Sequence, residues 1–177
     1  SKYYIYIENQ FFISYNDAEN DNVLNQIGEC LFERIVRAHS EKESFKVYLV
    51  LPLITGYEGE YGKSSGVLLH AITHFNNHSI TSLFKKLSDK GIDALNYMCV
   101  FSLRTWSELN GKVITELIYV HSKLMIVDDR ACIIGSANIN DRSLLGNRDS
   151  EVCVYIEDTQ FVNGMLNKQP CQVGKFT

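Results

Sequence analysis

The chain has 177 residues, of which 45% are hydrophobic and 21% charged, a balance that fits a globular protein and excludes a disordered tail. Its length fits one domain over residues 1–177, large enough to bury a core. The formal net charge is −4, without the excess of Lys and Arg usual in proteins that grip a nucleic-acid backbone. We therefore expect no nucleic-acid partner.

The first half of the chain alternates strand-like and helix-like segments. Residues 3–7 are aromatic and β-branched, which predicts a buried strand. A helix is expected to begin at a cap, either Asp21 or Asn22, and to end at His39, because apolar residues recur there every three to four positions. Residues 45–51 predict a second strand.

A loop and a long helix separate this strand from the next one. Residues 55–66 contain four glycines and predict an exposed loop. Residues 67–87 predict a helix, which is either continuous or divided around Asn76–Asn77. Residues 97–103 predict a third strand.

The last third of the chain contains several short apolar runs. Residues 116–120 lead into the run 124–127, and Asp129–Arg130 predicts a hairpin turn between that run and 131–134. Residues 151–156 predict a final strand. Strands that alternate with helices and end in an antiparallel portion predict an α/β fold, with helices covering a mixed sheet.

The cysteines and the apolar runs bear on the location of the protein. Five cysteines form an odd set without a CxxC pair, which favours a reducing, cytoplasmic compartment. No apolar run approaches the length of about 18 residues that a transmembrane helix requires. The chain begins in a strand-like run and ends in a loop-like one. We therefore expect a fragment of a longer polypeptide without a transmembrane segment.

The most informative stretch reads HSKLMIVD at 121–128 and continues to GSAN at 135–138. Side chains two apart on an extended strand point the same way, so His121 and Lys123 share one face. The hairpin then returns Asn138 and its neighbouring serine toward them. An ammonium group with hydroxyl and amide donors forms a phosphate site, beside an imidazole that exchanges protons near neutral pH. No metal is required, because the lysine and the asparagine stabilise the phosphate charge that a divalent ion would otherwise neutralise.

The pattern HxK(x4)D(x6)GSxN is similar to the signature of the phospholipase D superfamily. The chain also resembles the C-terminal lobe of eukaryotic phosphatidylcholine-hydrolysing phospholipase D, in segments 5–14, 47–53, 116–130 and 133–151. This resemblance implies one half of a bilobed enzyme, each lobe an α/β/α sandwich with one motif at a shared site.

The resemblance also implies a reaction. The enzyme cleaves phosphatidylcholine to phosphatidic acid and choline through a phosphohistidine, without cofactor or metal, and transfers the phosphatidyl group to short alcohols. The expected partners are a phospholipid substrate at a membrane surface and the N-terminal lobe of the same chain. We accordingly expect a cytoplasmic protein that is peripheral on intracellular or plasma membranes.

The same resemblance assigns roles to individual side chains. His121 is the acid that protonates the leaving choline and later the base that activates water. Lys123 and Asn138 hold the phosphate, and Ser136 is either a second phosphate ligand or a turn residue. Glu151 is expected to orient a histidine through its ring N–H.

Four further residues have open or structural readings. Asp128 belongs to the catalytic motif, yet a structural role in pinning the turn is favoured. Asn9 and Gln10 follow a strand, where they form either a polar turn or ligand groups. Arg142 either contacts lipid phosphate or pairs with an acidic neighbour, and pairing is favoured.

The sequence departs from the family in having one HxK motif instead of two. One imidazole does not readily serve as nucleophile and acid in the same step, so the isolated chain is expected to be inactive. Two alternatives remain: a single-motif phosphodiesterase or nuclease that dimerises, and a truncated lobe without catalysis. His70, His74 and His78 form a stripe without an HExxH glutamate, for which a packing role is favoured over zinc binding.

Overall fold

The computed structural model describes residues 1–14 and 23–177. The helices in this part of the chain are α1 (Ile27–Ser40), α2 (Val67–Asp89) and the short α3 (Asp141–Leu144). The strands are β1 (Tyr4–Glu8), β2 (Lys46–Val50), β3 (Met98–Phe101), β4 (Leu103–Leu109), β5 (Lys112–Ile118), β6 (Leu124–Val127), β7 (Ala131–Gly135), β8 (Cys153–Glu157), β9 (Phe161–Leu166) and β10 (Gln169–Gly174).

Six of the strands form a mixed sheet in the order β3-β2-β1-β6-β7-β8. Strands β1, β2 and β3 are parallel, whereas β6, β7 and β8 run antiparallel to their neighbours. The predicted mixed α/β fold with an antiparallel portion near the end is therefore confirmed. The central strands β1 and β6 are neighbours, which brings the start of the chain beside the HxK segment.

The core lies between the sheet and the two long helices. Alternation along β1 places Ile7 in this core, and it packs with Leu49 of β2, Ile35 of α1 and Leu83 of α2. Each of these four side chains is at most 1% exposed. Because α1 and α2 contribute to a single cluster, both helices cover the same face of the sheet.

The opposite face of the sheet is open in the described residues. Tyr4, Tyr6, Tyr48, Phe101 and Ile126 line an apolar cavity of about 440 Å³ on this face. The second helical layer of the expected α/β/α sandwich is not found within 1–14 and 23–177. The residues that line the cavity therefore form an aromatic surface without a covering layer in this part of the chain.

The helices differ from prediction in their bounds. Helix α1 begins at Ile27, and the predicted caps Asp21 and Asn22 lie outside the described residues. Helix α2 is continuous over 23 residues. The buried Asn76 lies inside it, and its side-chain oxygen accepts a hydrogen bond from the backbone N–H of Phe12 at 2.7 Å. This bond gives the buried polar side chain a partner in the middle of the helix.

Two hairpins, β4–β5 and β9–β10, were not predicted. The first turns at Asn110 and Gly111, with φ of 52° and 73°, and the second at Asn167 and Lys168, with φ of 51° and 61°. Positive φ at both central residues is the geometry of tight hairpin turns. The predicted strand 97–103 is consequently divided between β3 and β4.

The β6–β7 turn lies one residue earlier than predicted. Its closing hydrogen bond runs from the Arg130 N–H to the Val127 carbonyl at 3.0 Å. Asp128 and Asp129 are therefore the central residues, with φ of 55° and 48°. Aspartate tolerates this left-handed conformation better than most residues, which explains the choice of residue type.

Candidate active site

The segment with His121 and Lys123 immediately precedes β6, so the two residues do not lie within a strand as predicted. It is clamped from both sides. The Ser122 hydroxyl donates to the Glu8 carboxylate at the end of β1, and the Lys123 carbonyl accepts from the Gly135 N–H at 3.0 Å. The second contact joins the HxK segment directly to the GSxN segment.

The side chains of His121 and Lys123 lie side by side. The Lys123 Nζ is 3.0 Å from His121 Nδ1 and 2.6 Å from the His121 carbonyl oxygen. The Lys123 Nζ is also 3.5 Å from His121 Nε2, so both ring nitrogens lie within reach of the ammonium. An imidazole in this position can give and take a proton during a reaction.

Lys123 is partly desolvated and has three polar neighbours. It lines an apolar cavity of about 250 Å³ together with Ile7 and Met125, while its Nζ donates to Gln10 Oε1 at 3.3 Å. Burial lowers the pKa of the Lys123 ammonium, and the Glu151 carboxylate offsets part of this effect. Gln10, one of the open candidates, thus joins the site through Lys123.

Glu151 is held by two hydroxyl groups. Its carboxylate accepts from Ser136 Oγ at 2.5 Å and from Ser143 Oγ at 2.6 Å. Hydrogen bonds from Ser136 and then Ser143 lower the pKa of Glu151, with a smaller contribution from Lys123. Within the described part of the chain, Glu151 makes no hydrogen bond to His121. Ser136 contacts Glu151 and the Val152 backbone.

Asn138 lies on a backbone segment that Asn9 fixes. The buried Asn9 amide donates to the Ala137 carbonyl at 3.5 Å and accepts from the N–H groups of Ile139 and Phe11, each at 3.2 Å. Asn9 therefore positions the turn. Asn138 Oδ1 is buried without a hydrogen-bond partner in the described residues. The structure does not bond Asn138 to either member of the imidazole–ammonium pair.

Asp128 does not lie with these groups. Its carboxylate accepts from the N–H groups of Lys2, Tyr3 and Tyr4 at 2.5, 2.7 and 2.8 Å. It follows the far end of β6, five residues from Lys123, which is about 16 Å along an extended chain. These contacts support the structural reading of Asp128 over the catalytic one, because they tie the β6–β7 turn to the start of β1.

Arg142 is engaged by an acidic neighbour. Its Nε donates to Asp149 Oδ2 at 2.5 Å, the pairing that the sequence favoured. Asp141 instead accepts from the N–H groups of Leu24 and Asn25 at 2.6 and 2.8 Å and from the Asn25 side chain at 2.7 Å. Burial by itself raises the pKa of Asp141, but these hydrogen bonds outweigh it and the net shift is downward.

Tyr119 was missed in the sequence. Its hydroxyl oxygen accepts from Gln10 Nε2 at 3.0 Å and from the Gly56 N–H at 3.1 Å, and its ring centroid is 6.2 Å from that of His121. The signal for Tyr119 was its position two residues before His121, because alternation in an extended segment places both on one side. No local pattern indicated Ser143, which reaches Glu151 only through the fold.

Residues 1–14 and 23–177 contain neither a candidate metal cluster nor a membrane-spanning helix. No group of three or more His, Cys, Asp or Glu side chains in these ranges is arranged to hold a metal ion. No helix described there is long and apolar enough to cross a bilayer. His74 and His78 of the histidine stripe stack with their ring centroids 6.0 Å apart.

The fold and the motif together define a domain of the phospholipase D superfamily type. The structure resembles the phosphatidylserine synthase of Haemophilus influenzae Rd KW20 with a TM-score of 0.50 and 17% identity, over 89% of this chain and 29% of that one. The sequence model of the family described as phospholipase D matches residues 1–117 and 102–176. The chain belongs to the phospholipase D family.

Relatives in this family are much longer than the chain. It is 47% identical over 181 residues to phospholipase D1 of Homo sapiens, covering 99% of this chain and 17% of that protein. It is 45% identical over 187 residues to phospholipase D zeta 1 of Arabidopsis thaliana, covering 100% of this chain and 17% of that protein. The chain thus spans about a sixth of the length of these relatives.

Proposed function

We propose that the chain supplies one half-site of a phospholipase D that hydrolyses phosphatidylcholine to phosphatidic acid and choline. The observation that carries the proposal is the Lys123 Nζ 3.0 Å from His121 Nδ1, in a segment bonded to Gly135 of GSxN. An ammonium beside an imidazole supports chemistry on an anionic phosphodiester, because the ammonium offsets the negative charge of the phosphate next to the group that transfers the proton. The similarity to proteins named phospholipase D supports the substrate class.

The proposed reaction passes through a phosphohistidine. A histidine of another half-site attacks phosphorus, the bond from phosphorus to the choline oxygen breaks, and the imidazolium form of His121 gives that oxygen a proton and becomes neutral. His121 then takes a proton from water, the hydroxyl attacks phosphorus, and the phosphorus–nitrogen bond breaks. A short alcohol in place of water would yield the phosphatidyl alcohol. Lys123 and Asn138 are the proposed phosphate ligands, whereas the Ser136 hydroxyl, the other candidate, donates to Glu151.

Three observations support the need for a second half-site. Asn138 Oδ1 is buried without a donor among the described residues, which costs about 1–3 kcal/mol and favours a donor from elsewhere. Glu151 is anionic and does not bond His121, so the histidine that it orients would come from the other half. The open aromatic face with Tyr6 and Tyr48 is of the kind that another layer of polypeptide covers.

We place the enzyme in the cytoplasm, peripheral on intracellular or plasma membranes. The substrate resides in a bilayer, so the site has to meet a membrane surface. All five cysteines are free, which supports a reducing compartment.

The test replaces His121 in the longest natural polypeptide that contains this chain. His121→Ala is expected to lower choline release from phosphatidylcholine vesicles by at least about a hundredfold, because it removes the acid–base group. His74→Ala, at an exposed position in α2, is the matched control and should keep the parent rate. Retained choline release in His121→Ala would contradict the assignment.

The chain alone provides the test of the half-site. Purified residues 1–177 are expected to release no choline from the same vesicles. Robust turnover by a symmetric dimer, established by sedimentation, would favour the single-motif phosphodiesterase instead.

A further inference from the structure

A chain of hydrogen bonds connects the glycine-rich loop to the ammonium of Lys123. The Tyr119 hydroxyl oxygen accepts from the Gly56 backbone N–H at 3.1 Å and from Gln10 Nε2 at 3.0 Å. The other end of the Gln10 carboxamide, Oε1, accepts from Lys123 Nζ at 3.3 Å. The loop, the end of β1 and the HxK segment therefore meet through two side chains.

The Lys123 ammonium determines which way the Gln10 carboxamide faces. An ammonium only donates, so Lys123 selects the amide oxygen of Gln10, and the amide nitrogen is left to donate to the Tyr119 hydroxyl oxygen. A flipped carboxamide would point its N–H groups at the ammonium, placing donor against donor. The Tyr119 hydroxyl then holds the other end of the carboxamide in place.

The position of Tyr119 depends on the absence of a side chain at Gly56. A Cβ there would lie 2.8 Å from Tyr119 Cζ and 2.9 Å from its hydroxyl oxygen, closer than such atoms normally approach. The loop is itself anchored, since the ring of the next residue, Tyr57, stacks on Phe11 with centroids 6.3 Å apart. The Gly56 N–H is therefore held where the hydroxyl meets it.

We infer that Tyr119 and Gln10 are positioning residues that hold the Lys123 ammonium beside His121 and couple its placement to the loop 55–66. They act through Lys123, and the Tyr119 ring also borders the His121 ring at 6.2 Å. The inference rests on the proposed function, because the position of the ammonium affects turnover only if the pair acts on a phosphodiester.

The first test removes the hydrogen bonds of one side chain at a time in the longest natural polypeptide that contains this chain. Tyr119→Phe keeps the ring and loses the hydroxyl, and Gln10→Leu keeps the bulk and loses the amide. Each variant breaks the connection to Lys123 and is expected to lower kcat for choline release about threefold to tenfold. The matched control is Tyr155→Phe, whose hydroxyl donates to Glu157 at 3.1 Å on β8. A Tyr119→Phe enzyme indistinguishable from this control would overturn the inference.

The second test measures the pH profile of kcat, which would not shift if the role of Gln10 were purely structural. The groups that face Lys123 are His121, Gln10 and Glu151. Gln10→Glu adds a carboxylate beside the ammonium and is expected to move the alkaline limb of kcat to higher pH. Gln10→Leu removes an acceptor and is expected to move it to lower pH. If the alkaline limbs of both variants coincide with that of the parent while kcat falls, the positioning role of Gln10 is contradicted.

The third test perturbs the same series of hydrogen bonds at its loop end, at Gly56. Gly56→Ala is expected to displace the Tyr119 ring and to reproduce the loss in Tyr119→Phe. In a Tyr119→Ala background the ring is gone, so Gly56→Ala should add no further loss. Additive losses in the double variant would show that Gly56 acts independently of Tyr119 and would overturn this coupling.

A readout without turnover separates the inference from the proposed function. Acetylation of Lys123 by acetic anhydride over a series of pH values, read by mass spectrometry, reports the ionisation of its amine directly. Gln10→Glu and Gln10→Leu should shift the labelling curve in opposite directions, even if His121→Ala leaves choline release intact and the proposed function fails. Coincident labelling curves would overturn the positioning role regardless of activity.

Discussion

Asp128 provides a sharp test of how the motif divides between structure and chemistry. Asp128→Asn keeps the size and the tolerance for positive φ, so backbone strain is unchanged. The retained oxygen can still accept from Tyr3 and Tyr4 without its charge, while the new amide nitrogen opposes the Lys2 N–H. One charge-assisted bond is lost and two are weakened, which together costs about 3 kcal/mol.

The assay is urea unfolding of the purified chain followed by circular dichroism. With a slope of about 2 kcal/mol per M, the midpoint should fall by about 1.5 M. Asp89→Asn is the control, because the Asp89 pair with Lys85 is exposed and such pairs contribute less than about 1 kcal/mol. In the longer polypeptide, kcat per folded molecule should be unchanged. An unaltered midpoint, or a large loss of kcat in a stable Asp128→Asn enzyme, would refute the structural role.

Two further predictions concern pH. Glu151→Gln removes the carboxylate that raises the pKa of Lys123, while burial still lowers that pKa. The alkaline limb of the kcat profile should therefore move to lower pH, and Glu157→Gln is the control. A limb that stays in place or moves to higher pH would contradict the coupling between Glu151 and Lys123. The pKa of Asp141 is lowered from 3.8 on folding, so its contribution is present above 3.8 and lost as pH falls through the folded value. Asp141→Asn should therefore lower the free energy of unfolding by about 1 kcal/mol at neutral pH, because its bonds to Asn25 are weaker. The difference from the parent, measured as a difference in urea midpoints, should shrink in acid. A difference that stays constant with pH would oppose this account.

The sequence predicted the elements around the motif well because their signals are local. The runs at 124–127 and 131–134 became β6 and β7, and alternation placed His121 and Lys123 together. The Asn110–Gly111 hairpin was missed although this dipeptide, between alternating segments, is a strong turn signal. The sequence therefore contained enough local information to predict this hairpin.

Other features depend on contacts that are distant in sequence. Ser122 reaches Glu8 across 114 residues, and Asn9 reaches Ile139 across 130, so neither partner is visible in a local pattern. The sequence placed Glu151 near the site but not its two serine donors, of which Ser143 comes from α3. The partners in these contacts are set by the sheet order, which places β1 beside β6.

The most direct test of the central claim is a burst experiment with a leaving group that needs no proton. With a phosphatidyl ester of p-nitrophenol, His121→Ala in the longer polypeptide should release about one nitrophenolate per enzyme molecule and then nearly stop. The histidine of the other half would form its bond to phosphorus, but the base that activates water would be missing. Absence of a burst, with the parent enzyme active on this ester, would contradict the role of His121 as acid and base.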